Sequence, residues 1–402
     1  MSEKIVIIGA GQAASQAVQS LRAEGFDGPI TLVGDEAYPP YQRPPLSKAY
    51  LLGSFARERL FLKADDYYAQ AGCELMLGTT ARAIHRDTRQ VELEDGRRLS
   101  YDKLLLATGA KVRKLRCPGH DLPGIHYLKT IADVDGLQAV FTPGTRIAVV
   151  GGGYIGLEVA AVGAKRGLKV TVFEAMDRLM ARAVSPQLSA FYAGEHEKAG
   201  VTLKLHTGVE AIGGQSKVEW VKAGGRTHAC DIVLVGIGVI ARDELAVAAG
   251  LASDDGIVVD QNARTGDPHI WAAGDCTRHV GREGHAIRLE CVQNAIDQAR
   301  HAALAMVGKP RIYSEVPWFW SDQYDLKLQI AGLARPTDTL VARGDPANRK
   351  FAVFHLRDGK LAAVEAVNAA PEYMIGKRLI ADGKPVEAAR LADLSIPMKT
   401  LA

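Results

Sequence analysis

One chemical pattern occurs twice in this chain. At Lys4–Ala14, KIVIIGAGQAA, an apolar run ends at Ile8 and meets Gly9, Gly11 and Ala14. At Arg146–Gly156, RIAVVGGGYIG, a second apolar run meets Gly151, Gly153 and Gly156. This is the spacing of a turn that holds the phosphates of a dinucleotide. Gly9 and Gly151 make the tight turn, and Gly11 and Gly153 let a pyrophosphate approach the backbone. Ala14 and Gly156 let the following helix sit close on the strand. That helix, beginning near Gln12 in the first copy, offers free N–H groups and a positive dipole end to the phosphates.

Each copy leads into a second strand that ends on an acid. ITLV, 30–33, runs to Asp35 and Glu36, and KVTVF, 169–173, runs to Glu174. An acid about twenty residues past the glycines suits ribose hydroxyls. A phosphate at Glu174 would be repelled, which favours NADH over NADPH, although Arg178 and Arg182 a few residues on would soften that preference. Two such units with the same flanks imply two nucleotides bound by one chain.

The residues between these units supply further candidates. The segment AYPPYQRPPLSK is stiffened by prolines and carries Arg43 and Lys48 toward the C-terminal edge of the first two strands, where ligands bind in open parallel sheets. The run YDKLLLATG, 101–109, reads as a buried strand stopping at Thr108 and Gly109. In TGDPHIWAAGDC, 265–276, Asp275 follows a strand on a glycine turn, where a carboxylate suits the ribityl hydroxyls of a flavin. Glu158 falls just past Gly156, and a carboxylate on a first helical turn is explained by the dipole alone; a role facing nicotinamide is the alternative. Trp318, Phe319 and Trp320 in a row read as core packing.

The rest of the chain must position these groups. A length of 402 residues favours two or three domains. A net charge of +3 gives no global case for nucleic acid, so any basic docking patch is local. The five cysteines, Cys73, Cys117, Cys230, Cys276 and Cys291, are scattered and include no CxxC pair, which indicates neither a disulfide framework nor a metal site. No stretch has the apolar length of a membrane span, and MSEKIVIIGAG enters a strand without a signal peptide, so a cytoplasmic protein is expected. Residues 75–93 alternate weakly up to a turn at Glu94–Gly96. Residues 231–238 read as a returning strand and 288–300 as an amphipathic helix. Apolar alternation at 327–330, 351–356 and beyond Asp358–Gly359 predicts an antiparallel sheet, followed by a helix from about Pro371 to Asp382.

In order, GxGxxA, PPLSK, LLLATG, GGGYIGLE, AAGDC, QNA and PWFWSDQY resemble the FAD-dependent NADH:ferredoxin reductases of bacterial oxygenase systems, the putidaredoxin reductase and biphenyl dioxygenase ferredoxin reductase type, from about Lys4 to Lys399. The resemblance implies an α/β fold with two Rossmann-like nucleotide-binding domains, glutathione-reductase-like, plus a C-terminal α+β domain with an antiparallel sheet. It places the FAD domain at 1–110 and 242–317, the NAD domain at 111–241 and the C-terminal domain at 318–402. It puts Gly11, Ala13 and Asp35 on the adenosine and phosphates of FAD, and Ala81 on the adenine side through its backbone. Arg43 and Lys48 lie along the cofactor, with Lys48 near the flavin ring, and Thr108, Gly109 and Lys129 join that set. Asp275 takes the ribityl chain, Val292 offers backbone near the ring, and Trp320 sits beside the isoalloxazine, against the core reading above. Tyr154 shields the nicotinamide side, with Ile155, Glu158 and Arg182 in the NADH set. Lys48, Glu158, Trp320 and Tyr154 are the candidates nearest the chemistry, and no metal is implied.

The activity so implied is hydride transfer from NADH to FAD, then single electrons to a 2Fe–2S ferredoxin serving a haem monooxygenase or a ring-hydroxylating dioxygenase. Lys63, Arg300 and Lys399 match basic positions at the partner face. An NADH oxidase or disulfide reductase is the alternative enzyme, but it needs a redox cysteine near residues 35–48, and YPPYQRPPLSK has none. A flavin-binding redox-sensing interaction protein is the third reading; such proteins usually carry targeting segments and C-terminal insertions that this chain lacks.

Overall fold

The computed structural model describes residues 3–401, so residues 1, 2 and 402, at the outer limits of the expected domains, lie outside the described residues. The chain forms two compact units, each assembled from separate segments.

The first unit comprises Met1–Gln42, Arg57–Lys111 and Val239–Pro317. Its centre is a five-stranded parallel sheet in the order Ile270–Ala272, Lys103–Leu106, Ile5–Ile8, Ile30–Val33, Cys73–Met76. The strand Ile5–Ile8 is buried along its whole length because both faces are covered, which is why it reads as a continuous apolar run. The helices Gln12–Ala23 and Val292–Met306 pack on one face through small residues, Ala13, Ala14, Ala17, Ala295, Ala299 and Ala302 among them. The register pairs Ile8 with both Val33 and Leu106, and Leu106 with Ala272. The glycine turns that follow these strands therefore line one edge of the sheet. An antiparallel sheet of Ala81–His85, Gln90–Leu93 and Arg98–Ser100 follows. The helix expected from residue 288 begins at Val292, with Cys291 at its N-cap.

The second unit comprises Arg43–Ala56, Val112–Gly238 and Trp318–Ala402. Its parallel sheet runs Thr202–Lys204, Lys169–Phe173, Arg146–Val150, Ile232–Val235, Ile125–Tyr127. Val150 is in register with Phe173 and Val235, so Gly151, Glu174 and Gly236 again share one edge. The C-terminal region is an antiparallel sheet in the order Trp318–Gln323, Leu326–Gly332, Lys360–Val367, Lys350–Arg357, Thr339–Asp345, covered by the helix Ala370–Asp382. Trp318–Gln323 is one unforeseen strand, and Thr339–Asp345 is another. It is an edge strand, largely exposed, and its one deeply buried side chain is Arg343, whose guanidinium caps the carbonyls of Leu391, Asp393 and Ile396. An arginine facing inward on an exposed edge reverses the apolar alternation that marks a strand. None of Trp318, Phe319 and Trp320 is fully buried, so the core reading of that run does not hold.

Candidate functional site

In the first unit, Gly9 has φ +114°, and a Cβ there would lie 2.1 Å from the Ala107 carbonyl oxygen. Only glycine fits, for backbone reasons. Gly11 is different: its backbone is extended and a Cβ would meet nothing within 4 Å. The helix Gln12–Ala23 that it caps has no side-chain cap and no acid in its first turn. Ala13 and Ala14 are buried at its start. Bare helix amides behind an open glycine fit a phosphate.

Asp35 is half-exposed and pairs with Arg242 at 2.8 Å. Arg242 is a residue that sequence reasoning missed. Its carbonyl accepts from the Thr108 hydroxyl at 2.6 Å, and its N–H donates to the Gly109 carbonyl at 2.9 Å. Thr108 and Gly109 thus stitch the returning segment at 242 to the strand end. Ala81 opens its strand, paired with Leu93. Asp275 is half-buried on the turn after Ile270–Ala272, and Val292 starts its helix. Lys63 donates to Gln19 at 2.6 Å and lies 4.8 Å over the Tyr67 ring; Arg300 is exposed and pairs with Asp297 at 3.0 Å. Gln19 is on the helix that packs against the one carrying Arg300.

All five cysteines are free. Cys276 is fully buried and burial pushes its thiol up; burial also pushes the Cys291 thiol up to about 11. Thiols held protonated in this way are poor nucleophiles.

In the second unit the same contrast recurs. Gly151 has φ +103°, and its Cβ would lie 2.4 Å from the Gly236 oxygen; Gly156 would press 2.2 Å onto the Gly151 oxygen. Gly153 faces open space and caps the helix Tyr154–Lys165, again with no side-chain cap and no acid in the first turn. Glu174 reaches back to this turn: its carboxylate accepts from the Gly152 N–H at 2.6 Å and the Met176 N–H at 2.7 Å. The Arg178 guanidinium donates to the carbonyls of Ala181 and Val184. Arg182 is exposed, as is Ile155.

Glu158 overturns the capping explanation. It lies beyond the first turn of its helix and is 3% exposed. Its carboxylate meets the Lys48 ammonium at 2.7 Å, accepts from Ser321 Oγ at 2.6 Å and also accepts from Ser47 Oγ. A buried carboxylate needs such partners. The network continues outward: Gln323 donates to Ser321 at 3.3 Å, and its Oε1 lies 2.9 Å from His196 Nε2. The Tyr324 hydroxyl lies 2.8 Å from His196 Nδ1. Burial lowers the His196 pKa, so the neutral ring passes hydrogen bonds from Tyr324 toward Gln323. Ser47, Ser321, Gln323 and His196 were not legible beforehand, since no local pattern joins them.

Lys48 also donates to the Pro44 carbonyl at 3.2 Å, and Arg43 donates to the Lys129 carbonyl at 2.6 Å. Lys129 precedes the capping box of Thr130 and Asp133. Tyr154 stacks 4.5 Å from Phe319, and burial holds its phenol protonated. The Trp320 ring lies 5.6 Å from Trp318, over which Lys377 sits at 5.2 Å. Lys399 is exposed on the turn Met398–Thr400. Among the described residues no helix is long and apolar enough to cross a membrane.

The pyridine nucleotide-disulphide oxidoreductase family matches residues 3–302, and the reductase C-terminal family matches residues 318–402. Rhodocoxin reductase of Rhodococcus erythropolis is 45% identical over 400 residues, covering 98% of this chain and 93% of its own length. Putidaredoxin reductase of Pseudomonas putida is 41% identical over 408 residues, covering 100% and 97%. The crystal structure of the covalent putidaredoxin reductase–putidaredoxin complex matches with a TM-score of 0.97 at 40% identity, covering 99% of this chain and 98% of that one.

Proposed function

Because the chain belongs to the pyridine nucleotide-disulphide oxidoreductase family and ends in a reductase C-terminal region, we propose that it is an NADH-dependent, FAD-containing ferredoxin reductase that supplies an oxygenase system. The observation that carries this reading is the reach of the likeness, which runs through both nucleotide-binding sheets and the C-terminal sheet. A bound flavin supplies what the side chains lack, accepting a hydride and releasing electrons singly.

The protein's own residues bind and position. The Gly9–Ala14 turn, Asp35, Ala81, Thr108–Gly109, Asp275 and Val292 hold FAD; the Gly151–Gly156 turn and Glu174 hold NADH. Arg43, Lys48 and Lys129 would serve the flavin side, and Trp320 would contribute to holding the ring. Glu158 holds the Lys48 ammonium in place, and that charge would favour an electron-rich flavin bound beside it. Tyr154 covers the nicotinamide position and excludes water. The acceptor is a 2Fe–2S ferredoxin, which docks on Lys63, Arg300 and Lys399. In domain terms, 1–110 with 242–317 form the FAD part, 111–241 the NAD part and 318–402 the C-terminal part. A pyridine-nucleotide reductant and five cysteines without a disulfide support a cytoplasmic location.

Anaerobic NADH titration tests this. The protein should be isolated yellow, bleach with one equivalent of NADH, and pass two electrons to two equivalents of a 2Fe–2S ferredoxin. A colourless chain that cannot be reconstituted, or one whose NADH oxidation requires a disulfide substrate, would refute it.

A further inference from the structure

The turn between the strands Trp318–Gln323 and Leu326–Gly332 carries a backbone outlier. Gln323 pairs with Leu326, so Tyr324 and Asp325 alone close the hairpin, and Tyr324 has φ +58°. A two-residue turn usually gives such a position to glycine or asparagine, so a tyrosine kept there calls for a reason beyond the turn. Its hydroxyl lies 2.8 Å from Nδ1 of His196, which is 0% exposed. His196 Nε2 lies 2.9 Å from Gln323 Oε1, Gln323 donates to Ser321 at 3.3 Å, and Ser321 donates to Glu158 Oε1 at 2.6 Å. Gln323 and Ser321 are as deeply buried as His196.

The direction of every link follows from the inner end. Glu158, beside the Lys48 ammonium at 2.7 Å, only accepts. The single proton of Ser321 therefore goes to it, and Ser321 accepts from the amide NH2 of Gln323. That turns Gln323 Oε1 toward His196, so Nε2 carries the ring proton and bare Nδ1 accepts from Tyr324. Four hydrogen bonds in series thus donate toward Glu158. An amide does not hand a proton on, so the chain orients and does not conduct. Lys48 and Ser47 share Oε2 of Glu158, and Ser321 is the partner at Oε1.

We infer that Ser321, Gln323, His196 and Tyr324 are positioning residues for Lys48: they fix Glu158 Oε1, and so keep Oε2 on the ammonium. The consequence for a bound ring rests on the flavin reading above; the claim about Lys48 does not. A packing role needs neither a tyrosine at positive φ nor a row of buried polar groups with one polarity.

The test uses the full-length holoprotein and trace acylation of Lys48 by acetic anhydride, read by mass spectrometry against the exposed Lys384. A carboxylate released at Oε1 should let the ion pair open more often and Lys48 react faster. Ser321→Ala removes a bond to a charged group and should raise the relative rate about 10-fold or more; Tyr324→Phe removes a neutral bond at the outer end and should raise it about 3-fold. Tyr324→Phe made on Glu158→Gln should raise it no further, because the chain then has no charge to hold. A merely structural chain would change stability and leave the relative rate alone, or act equally in both backgrounds. Unchanged acylation in both variants, or a Tyr324→Phe effect as large on Glu158→Gln as on wild type, would overturn the inference. If Ser321→Ala does not fold, Tyr324→Phe, at a half-buried ring, decides alone. The visible bands of bound flavin should shift in the same variants; bands that stay put while Lys48 reacts faster would defeat the placing of Lys48 beside the ring. A wild-type chain that takes up no flavin would defeat the flavin reading, and the acylation rates would still decide this inference.

Discussion

The two glycines of the second turn have opposite physical characters, and this separates fold from binding in one experiment. At Gly151, φ is +103° and an added Cβ would lie 2.4 Å from the Gly236 oxygen and 2.9 Å from its carbon. An alanine there strains the backbone and clashes with main chain that cannot swing aside, a cost of about 2–4 kcal/mol. For a chain of 402 residues that lowers the melting temperature by about 2–5 °C. At Gly153 the backbone is extended, with φ −84° and ψ −178°, and the Cβ would meet nothing within 4 Å. Gly153→Ala is therefore neutral for the fold, or stabilising by about 0.4–1 kcal/mol through the unfolded chain. Its methyl group instead occupies the space through which a pyrophosphate reaches the amides of the helix Tyr154–Lys165. Losing that approach should raise the KM for NADH by about 10- to 100-fold. The assay is NADH oxidation with a dye acceptor, alongside the melting temperature and the flavin content. Gly153→Ala should keep its flavin and its stability and lose NADH affinity. If it melts as low as Gly151→Ala, or binds NADH as wild type does, the assignment of this turn is wrong.

Glu158→Gln removes the charge that Lys48 faces at 2.7 Å. With Lys48 18% exposed on its side chain, the loss of stability should be about 1–3 kcal/mol by denaturant unfolding, and NADH-driven flavin bleaching should slow. Glu174→Ala combined with Ala175→Arg should raise the ratio of NADPH to NADH specificity by about 100-fold; equal use of both cofactors by the wild type would contradict the role given to Glu174. Arg300→Glu should raise the KM for a ferredoxin about 3- to 10-fold at low salt and leave dye reduction by NADH unchanged; equal loss of both would remove Arg300 from the docking face. His279 is 4% exposed and burial lowers its pKa to about 4. The unfolded chain takes up this proton near pH 6.5 and the folded one only near pH 4. The stability that the neutral ring contributes is present above pH 6.5 and is lost as pH falls toward 4, by at most about 3 kcal/mol. His279→Phe should flatten that part of the stability profile.

What the sequence discloses about this site depends on how far apart the cooperating residues lie. The glycine turns were legible because their constraints act within a few residues: a positive φ, an open approach and a close helix each leave a mark at a fixed spacing. The acids Asp35 and Glu174 were legible for the same reason, since strand length sets their distance from the turn. The environment of Glu158 was not, because its partners Ser47 and Ser321 stand 111 and 163 residues away. On the helix alone, a carboxylate near an N-terminus is explained by the dipole, and that explanation was complete until the fold brought Lys48 to it. Arg343 and Gln298 were hidden for a related reason. Each is a buried polar group on a face whose apolar pattern predicts something else, and each is kept there by carbonyls or amides from other segments. Periodicity reads the majority of a face, and the exceptions are polar residues held by distant segments. The consequence is a rule for this fold: once apolar pattern has assigned the helices and strands, the polar residues that violate it are where partners from distant segments should be sought. Gln298 beside Gly274 and Ser321 beside Glu158 both meet that description.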